Sequence, residues 1–390
     1  MRLLEPGRIG QMMTKNRIVM CPMGTGSLAD LDGGFSRRLI DYYVARAKGS
    51  VGLIITGCTE VSDLIEPRTT LMSINPQTCS SFSELAEAVH YYGARIFVQL
   101  TAGMGRVIVG PEIDAGFKPV SASAIPAFWR PNVASRALTT DEVERIVDAF
   151  GKAAELLKTG DIDGIELHGH EGYLFDQFTT TIWNKRNDKY GGSLEDRLRF
   201  PIEVLNAIKD RAGKNFPVVY RYGLKHYLKE PGASALPHED YEEVGRDVAE
   251  GLEMAKLLEK AGFDGLHVDA GSYESWYWAH PPSYQSHGCM VDMAAEAKKS
   301  VNIPIIAVGR LGIPELAEEV IASGKADMVA LGRALLADPH WPKKAHAGKV
   351  EEIRPCTGCH DGCLYREMEQ FKPISCAVNP AVGREKLYTL

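Results

Sequence analysis

Residues 303–333 read IPIIAVGRLGIPELAEEVIASGKADMVALGR. Ile303 to Gly309 and Asp327 to Gly332 are apolar runs of strand length, and Ile313 to Ser323 between them repeats its apolar residues at helical spacing. Strands that are apolar on both faces and joined by an amphipathic helix predict a parallel crossover unit. The same alternation runs back along the chain. Arg17 to Met23, Gly52 to Thr56, Arg95 to Leu100, Gly164 to His168, Val218 to Gly223 and Gly265 to Asp269 complete eight candidate strands. Thr140 to Lys158, Glu195 to Arg211 and Tyr241 to Ala261 are further predicted helices. Eight such units fit a closed (β/α)8 barrel of the α/β class best, with a doubly wound open sheet as the alternative. Ala102 to Leu138 and Tyr222 to Glu239 exceed ordinary loop length and follow strands, on the face where barrels keep their chemistry. Near Pro355 the composition turns rich in Cys and Gly, so the barrel is assigned to 1–342 and a separate segment to 343–390.

The chain has 390 residues, 45% of them apolar and 24% charged, which excludes disorder and collagen-like structure. Its 44 basic and 51 acidic residues give a net charge of −7 without long like-charge blocks, so nucleic acid is not an expected partner. No run approaches the roughly 18 to 20 apolar residues of a membrane span, and Met1 to Gly10 lacks a secretion-signal pattern; a cytoplasmic location is expected. Of the eight cysteines, Cys21, Cys58, Cys79 and Cys289 are scattered, whereas Cys356, Cys359, Cys363 and Cys376 crowd one segment.

Those four form C-x2-C-x3-C-x12-C, three on a tight loop and one arriving from farther along, which suits an iron–sulfur cluster. Structural zinc and four unrelated buried thiols are the competing readings. Gly309-Arg310 and Gly332-Arg333 follow the seventh and eighth strands, where barrels often hold phosphate through Gly-containing turns and a cation. Such a site fits FMN or a phosphorylated substrate. Gln99, Arg221 and the turn Pro22, Met23, Gly24, Thr25 stand at other strand ends and offer a shelf for a flavin ring. Alternatively, Gln99 and Arg221 satisfy each other. The fourth strand runs into His168, His170, Glu171 and Tyr173, a concentration of groups able to polarise a carbonyl and donate a proton, or simply to serve structure. Asn184 to Ser193 reads as a hydrogen-bonded loop with a helix cap at Ser193. Trp276, Tyr277 and Trp278 read as an aromatic wall over a planar ligand or as a satellite core.

Taken together, these residues resemble the Old Yellow Enzyme family of FMN-dependent ene-reductases, and within it the iron–sulfur branch of 2,4-dienoyl-CoA reductases, enoate reductases, bile-acid and steroid enone reductases and trimethylamine dehydrogenase. The resemblance covers nearly the whole chain. It rests on Asn16-Arg17-Ile18-Val19 with Pro22-Met23, Gln99-Leu100, Glu171-Gly172-Tyr173-Leu174 with Gln177-Phe178, and Asn184 through Arg197. It continues through Val308-Gly309-Arg310, Gly332-Arg333 with Asp338-Pro339, and the four cysteines followed by Val378-Asn379-Pro380. The resemblance implies a TIM barrel in which Pro22, Met23, Gly24, Thr25, Gly57, Gln99, Arg221, Gly309, Arg310, Gly332 and Arg333 hold FMN and Tyr173 donates a proton. It further implies a 4Fe-4S cluster on Cys356, Cys359, Cys363 and Cys376.

Two positions depart from the family. Classical members grip the substrate carbonyl with two His three apart, whereas here the second slot is Glu171, which the iron–sulfur branch tolerates, and His170 precedes it, so the grip falls to His168 and His170. The dienoyl-CoA reductases tend to carry an Arg shortly before the Asn184 position, where this chain has Ile182, which disfavours a strongly anionic CoA ester.

The implied activity is reduction of an activated C=C bond in an enoate, enone or dienoyl thioester, with electrons from NAD(P)H passing through the cluster to FMN. Larger relatives continue into FAD- and NAD-binding domains. No G-x-G-x-x-G fingerprint occurs here, so FAD belongs to a further domain or to an electron-donating flavoprotein partner. A homo-oligomer is compatible with this reading. An amine dehydrogenase is the first rival, disfavoured because the tethering Cys of trimethylamine dehydrogenase is replaced by Gly24. A non-catalytic electron-transfer module is the second.

Overall fold

The computed structural model describes residues 1–61, 72–236 and 238–388. Strands β1 (Ile18–Met20), β2 (Leu53–Ile55), β3 (Arg95–Thr101), β4 (Gly164–Gly169), β5 (Val218–Gly223), β6 (Gly265–Asp269), β7 (Ile305–Ala307) and β8 (Met328–Leu331) pair in chain order, all parallel. β8 pairs back onto β1 from Val329–Ile18 to Leu331–Met20, which closes the sheet. All eight expected runs are therefore barrel strands, and the open-sheet alternative is excluded. Around them lie α1 (Arg37–Lys48), α2 (Cys79–His90), α3 (Thr140–Thr159), α4 (Arg199–Ala212), α5 (Val248–Ala261), α6 (Val291–Ser300), α7 (Pro314–Ala322), α8 (Arg333–Ala337) and α9 (Trp341–His346). No described helix is long and apolar enough to cross a membrane.

The period of two along each strand builds two different interiors. Ile18, Met20, Ile54, Ile96, Val98, Ile165, Leu167, Val218 and Leu266 point outward into the helix layer. Val19, Leu53, Ile55, Phe97, Val219, Ile306 and Met328 point inward and fill the barrel together with Ile9, from the hairpin Gly7–Ile9 and Met12–Thr14. One step up the same inward rows, the residues become Gln99, Glu166, His168, Arg221, His267 and Asp269, all buried. The barrel is thus plugged by hydrocarbon below and polar above.

Helix ends follow local chemistry. Thr139 and Glu142 form a reciprocal capping box at the start of α3 (2.8 and 3.2 Å). Ser193 caps the turn Leu194–Arg197 as expected, and the predicted helix continues into α4 past Leu198. The helix expected over Tyr241 to Ala261 begins only at Val248. Asp247 caps it by accepting the Glu250 N–H at 2.8 Å, and Arg246 turns inward, wholly buried, toward the Gly223 carbonyl (2.7 Å) and Asp176 (3.0 Å). The stretch 102–138 is structured, with a 3-10 turn at Gly105–Val107, a short helix at Gly110–Asp114 and paired strands Val120–Ser121 and Arg136–Ala137.

After α9 the chain folds back over the barrel mouth, with a π-type turn at Asp361–Tyr365 and a short helix at Arg366–Met368. Ile374 N–H donates to the Thr25 carbonyl (3.1 Å) and Asn379 Nδ2 to the Leu336 carbonyl (2.7 Å). Arg46, buried in α1, pairs with Glu385 at 2.5 Å.

Asp176, Arg246 and His226 form a fully buried ionic knot behind the site. Removing one partner of such a pair leaves the other charge buried and uncompensated. Asp176→Ala should therefore cost about 3–5 kcal/mol of stability, measured as a lowered unfolding midpoint in urea. A cost below about 1 kcal/mol would show that the knot does not hold this region.

Candidate active site

The barrel mouth opens into a cavity of about 620 Å³, within the range of small-molecule sites. Its floor is the polar layer. Gln99 Nε2 donates to Glu166 Oε1 (2.8 Å), and Glu166 Oε2 meets His267 Nδ1 (2.8 Å). Arg221 donates through Nε and Nη2 to Asp269 Oδ2 (3.0 and 2.5 Å). Gln99 and Arg221 therefore each have a separate carboxylate partner, and the alternative in which they satisfy each other is not what forms. Burial alone would raise the Asp269 carboxyl; Arg221 and His170 outweigh it and hold that group well below the usual carboxylate range.

The wall above β4 is made by a left-handed reversal. Glu171 has φ 62° and Gly172 φ 80°. Asp176 accepts the Gly172 N–H (2.9 Å), and Gln177 Nε2 donates to the Gly172 carbonyl (2.6 Å). This sharp turn carries Tyr173 back over His168, with ring centroids 4.1 Å apart. His168 and His170 stack edge to face at 4.5 Å, and the Tyr173 hydroxyl lies 3.3 Å from that of Tyr273. His168 Nδ1 and both ring nitrogens of His170 are buried without a hydrogen-bond partner. His170 Nε2 stands 3.3 Å from Asp269 and 3.4 Å from Glu171, without hydrogen-bond alignment. Buried polar atoms of this kind are rare and point to a ligand. Burial, with His170 and Arg221 nearby, pushes His168 well below the ordinary imidazole range, and burial beside Tyr273 pushes Tyr173 well above that of a phenol.

Pro22, Met23, Gly24, Gly309, Arg310, Gly332 and Arg333 also line the cavity. Thr25 and Gly57 do not line it. Gly57 packs so closely under the first turn that a Cβ there would lie 2.4 Å from the Met23 carbonyl oxygen. Gly309 and Arg310 both have positive φ, and Gly332 caps α8. Arg310 Nη1 donates to the carbonyls of Pro282 (2.8 Å), Ser283 (2.6 Å) and Gln285, and Arg333 meets His360. Both guanidiniums thus tie the turns after β7 and β8 to neighbouring loops.

The roof is apolar. Met104, Val109, Tyr273 and Trp276 line it. Trp278 does not: it stacks on Tyr227 at 4.0 Å, while the Tyr277 hydroxyl bonds the Ala235 carbonyl, so the expected three-residue wall reduces to Trp276. His280 was not singled out from the sequence, where it is a lone His in a loop. It stacks on Trp276 at 4.2 Å, its Nε2 lies 3.5 Å from Glu171, and its Nδ1 is buried unpartnered. Glu166, His267 and Asp269 were likewise unassigned, since strand alternation shows which face they occupy but not which partners they meet.

Cys356 and Cys363 reach the rim of this cavity, and all four tail cysteines ring a second, smaller one. Gly362 allows this closure: its carbonyl accepts the Ser375 N–H (2.8 Å), and a Cβ on it would strike the Ser375 backbone at 2.9 Å, so the chain carrying Cys376 presses against Cys363. Among the described residues, the triad compact enough to share a single ion is His168, His170 and Glu171, not the cysteines.

Residues 2–352 match the NADH:flavin oxidoreductase / NADH oxidase family. The chain belongs to this family. It is 49% identical to a cinnamate reductase of Clostridium sporogenes across 100% of this chain and 59% of that protein. A 2-naphthoyl-CoA reductase structure superposes with a TM-score of 0.88 at 29% identity, over 98% of this chain and 58% of the other. An Old Yellow Enzyme homologue of Zymomonas mobilis superposes with a TM-score of 0.71 at 25% identity, over 89% of this chain and 93% of that one. The chain spans less than two thirds of the cinnamate reductase it matches.

Because its pKa is lowered, His168 should stay neutral and available as a donor throughout the physiological range. In histidine-labelled protein its ring resonances should not titrate between about pH 6 and 8. A midpoint near pH ~6.5 would contradict the buried placement.

Proposed function

We propose that residues 1–342 bind FMN and residues 343–390 bind a 4Fe-4S cluster in an ene-reductase. The substrate would be an α,β-unsaturated carbonyl compound, and the electrons would come from NAD(P)H or a partner flavoprotein. One observation carries this reading. A single cavity brings together the two Gly-Arg turns, the Gln99 and Arg221 floor and the His168, His170, Glu171 and Tyr173 wall, with Cys356 and Cys363 at its edge. The likeness to a protein named cinnamate reductase supports the same class of reaction.

The residues present fit both groups. Unpartnered imidazole nitrogens and glycine turns face a cavity of flavin size. The cysteines surround a space of their own, and their spacing, three clustered and one distant, favours a cluster over zinc. Pro22, Met23, Gly24, Gln99 and Arg221 would hold the flavin ring, with Thr25 and Gly57 setting the turn beneath it. Gly309, Arg310, Gly332 and Arg333 would hold the phosphate. Cys356, Cys359, Cys363 and Cys376 would hold the cluster. Bound FMN would supply the hydride to the alkene β-carbon.

The chain's own residues then do the rest. His168, held neutral by burial, and His170 orient the substrate carbonyl and donate to the charge that builds on its oxygen. Glu171 Oε1 stands 3.4 Å from His170 and 3.5 Å from His280, a negative charge beside both rings. Tyr173 keeps its proton on the phenolic oxygen until a carbanion-like α-carbon, far more basic, takes it. Trp276, Tyr273, Met104 and Val109 exclude water and suit a flat apolar body such as an aryl enoate. We place the protein in the cytoplasm, a reducing compartment in which its eight unpaired cysteines persist.

Anaerobically purified protein should carry FMN, iron and acid-labile sulfide, and Cys376→Ala should lose iron while keeping FMN. Stoichiometric zinc in place of iron would remove the cluster assignment. Tyr173→Phe removes only the hydroxyl, so oxidation of the reduced flavin by cinnamate should slow ~100- to 10,000-fold while flavin reduction is spared. Reoxidation at the parent rate would transfer the role of acid to another residue.

A further inference from the structure

Glu367 lies four residues beyond Cys363, on the short helix Arg366–Met368, and none of the chemistry above uses it. It lines the main cavity. Its carboxyl presses on the turn after β1: a Cβ at Gly24 would stand 2.0 Å from Oε1 and 2.6 Å from Oε2. Only a residue without a side chain at position 24 admits it, and the Gly26 N–H holds it there. The titratable groups facing it are Glu171 from the β4 reversal, Cys58 from the turn after β2, Tyr42 and Tyr43 from α1, and Tyr273 from the loop after β6. Its neighbour Arg366 is turned away to the Pro373 carbonyl (2.8 Å). The charged group acting on Glu367 is thus another carboxylate. Burial, with Glu171 adding to it, pushes the Glu367 carboxyl up to about 7.

We propose that Glu367 delivers the proton that electron entry through the cluster requires. The inference rests on the FMN and cluster reading above. A hydride carries its own proton to a flavin, but electrons passed singly from a low-potential one-electron donor do not. FMN plus two electrons plus one proton gives the reduced flavin anion. The proton leaves the Glu367 carboxyl oxygen, and the carboxylate takes one back from water. Glu367 is placed for this because it presses on the Gly24 turn while the same segment carries Cys363, which lines the same cavity. Tyr173, with its pKa raised further, is too weak an acid for this step, and His168 is held neutral.

The test uses the anaerobic holoenzyme as wild type, Glu367→Gln and Glu367→Asp. Each is reduced with a one-electron viologen donor across a pH series, with infrared difference spectra recorded on reduction. In the wild type, flavin reduction should slow as pH rises through about 7, where the acid form is lost, and a protonated-carboxyl C=O band should change on reduction. Glu367→Gln should slow reduction by about tenfold or more, flatten the pH profile and remove the band; Glu367→Asp should restore part of both. A Glu367→Gln enzyme that holds FMN and iron in wild-type amounts yet keeps the wild-type pH profile and infrared band overturns the proposal alone. Wild-type protein that binds no FMN, or no iron and sulfide, overturns the underlying reading and the proposal with it. If the Gln variant does not fold, the Asp variant decides: an unmoved pH midpoint and band overturn the assignment.

Discussion

The structure depends on how the inward rows of a closed barrel change character with height. Hydrocarbon fills the lower interior, where Val19, Phe97, Val219 and Ile306 leave no room for water. Directly above, Glu166 and Asp269 are carboxylates with almost no solvent access, a placement tolerable only if each has close donors. Glu166 is held between Gln99 and His267, and Asp269 receives two hydrogen bonds from Arg221. Strand register fixes these partners. His168 and His170 at the upper edge of this polar layer, and His280 from a loop, carry unmet hydrogen-bonding nitrogens on residues that line the cavity.

The tail is part of the same construction. Ile374 and Val382 are buried in the core shared with α1 and α2, and Ile374 bonds the backbone of Thr25, two residues after Met23. The segment bearing the cysteines thus also closes one side of the cavity through Glu367, and Gly24 is the point of contact. A side chain at position 24 would compete with Glu367 for the same space. The same glycine that argues against a tethered flavin therefore makes room for a carboxyl.

The barrel was legible because each strand is a short apolar run bounded by Gly or a charge, and because eight such runs admit few arrangements. The candidate residues at strand ends were legible for the same reason: a residue's place at a strand's C-terminal end sets it at the mouth. Partnerships were not legible. Alternation assigns Gln99 and Arg221 to the interior but cannot say that Glu166 and Asp269, rather than each other, satisfy them. The start of α5 was misplaced because Arg246, which fits a helical pattern, answers instead to a buried carboxylate on another loop. Trp278 failed as a wall residue because consecutive side chains on the helical turn Trp276–Ala279 fan out around its axis; its ring found Tyr227. His280 and Glu367 carry no motif and become visible only when their loops are folded over the mouth.

The position of Glu171 shows how a departure from the family pattern can be compatible with the same chemistry. A non-glycine residue at φ 62° costs of order 1–3 kcal/mol, and such strain persists only where surrounding contacts determine it. Here Asp176 and Gln177 grip Gly172 from both sides, and Asp176 is itself fixed by Arg246 and His226. The strained turn puts the Glu171 carboxylate 3.4 Å from His170 and 3.5 Å from His280, two imidazoles from different loops. Position 171 thus places a carboxylate, where the family pattern has an imidazole, beside two imidazoles that line the same cavity. The buried ionic knot behind β4 holds the turn that brings these groups together.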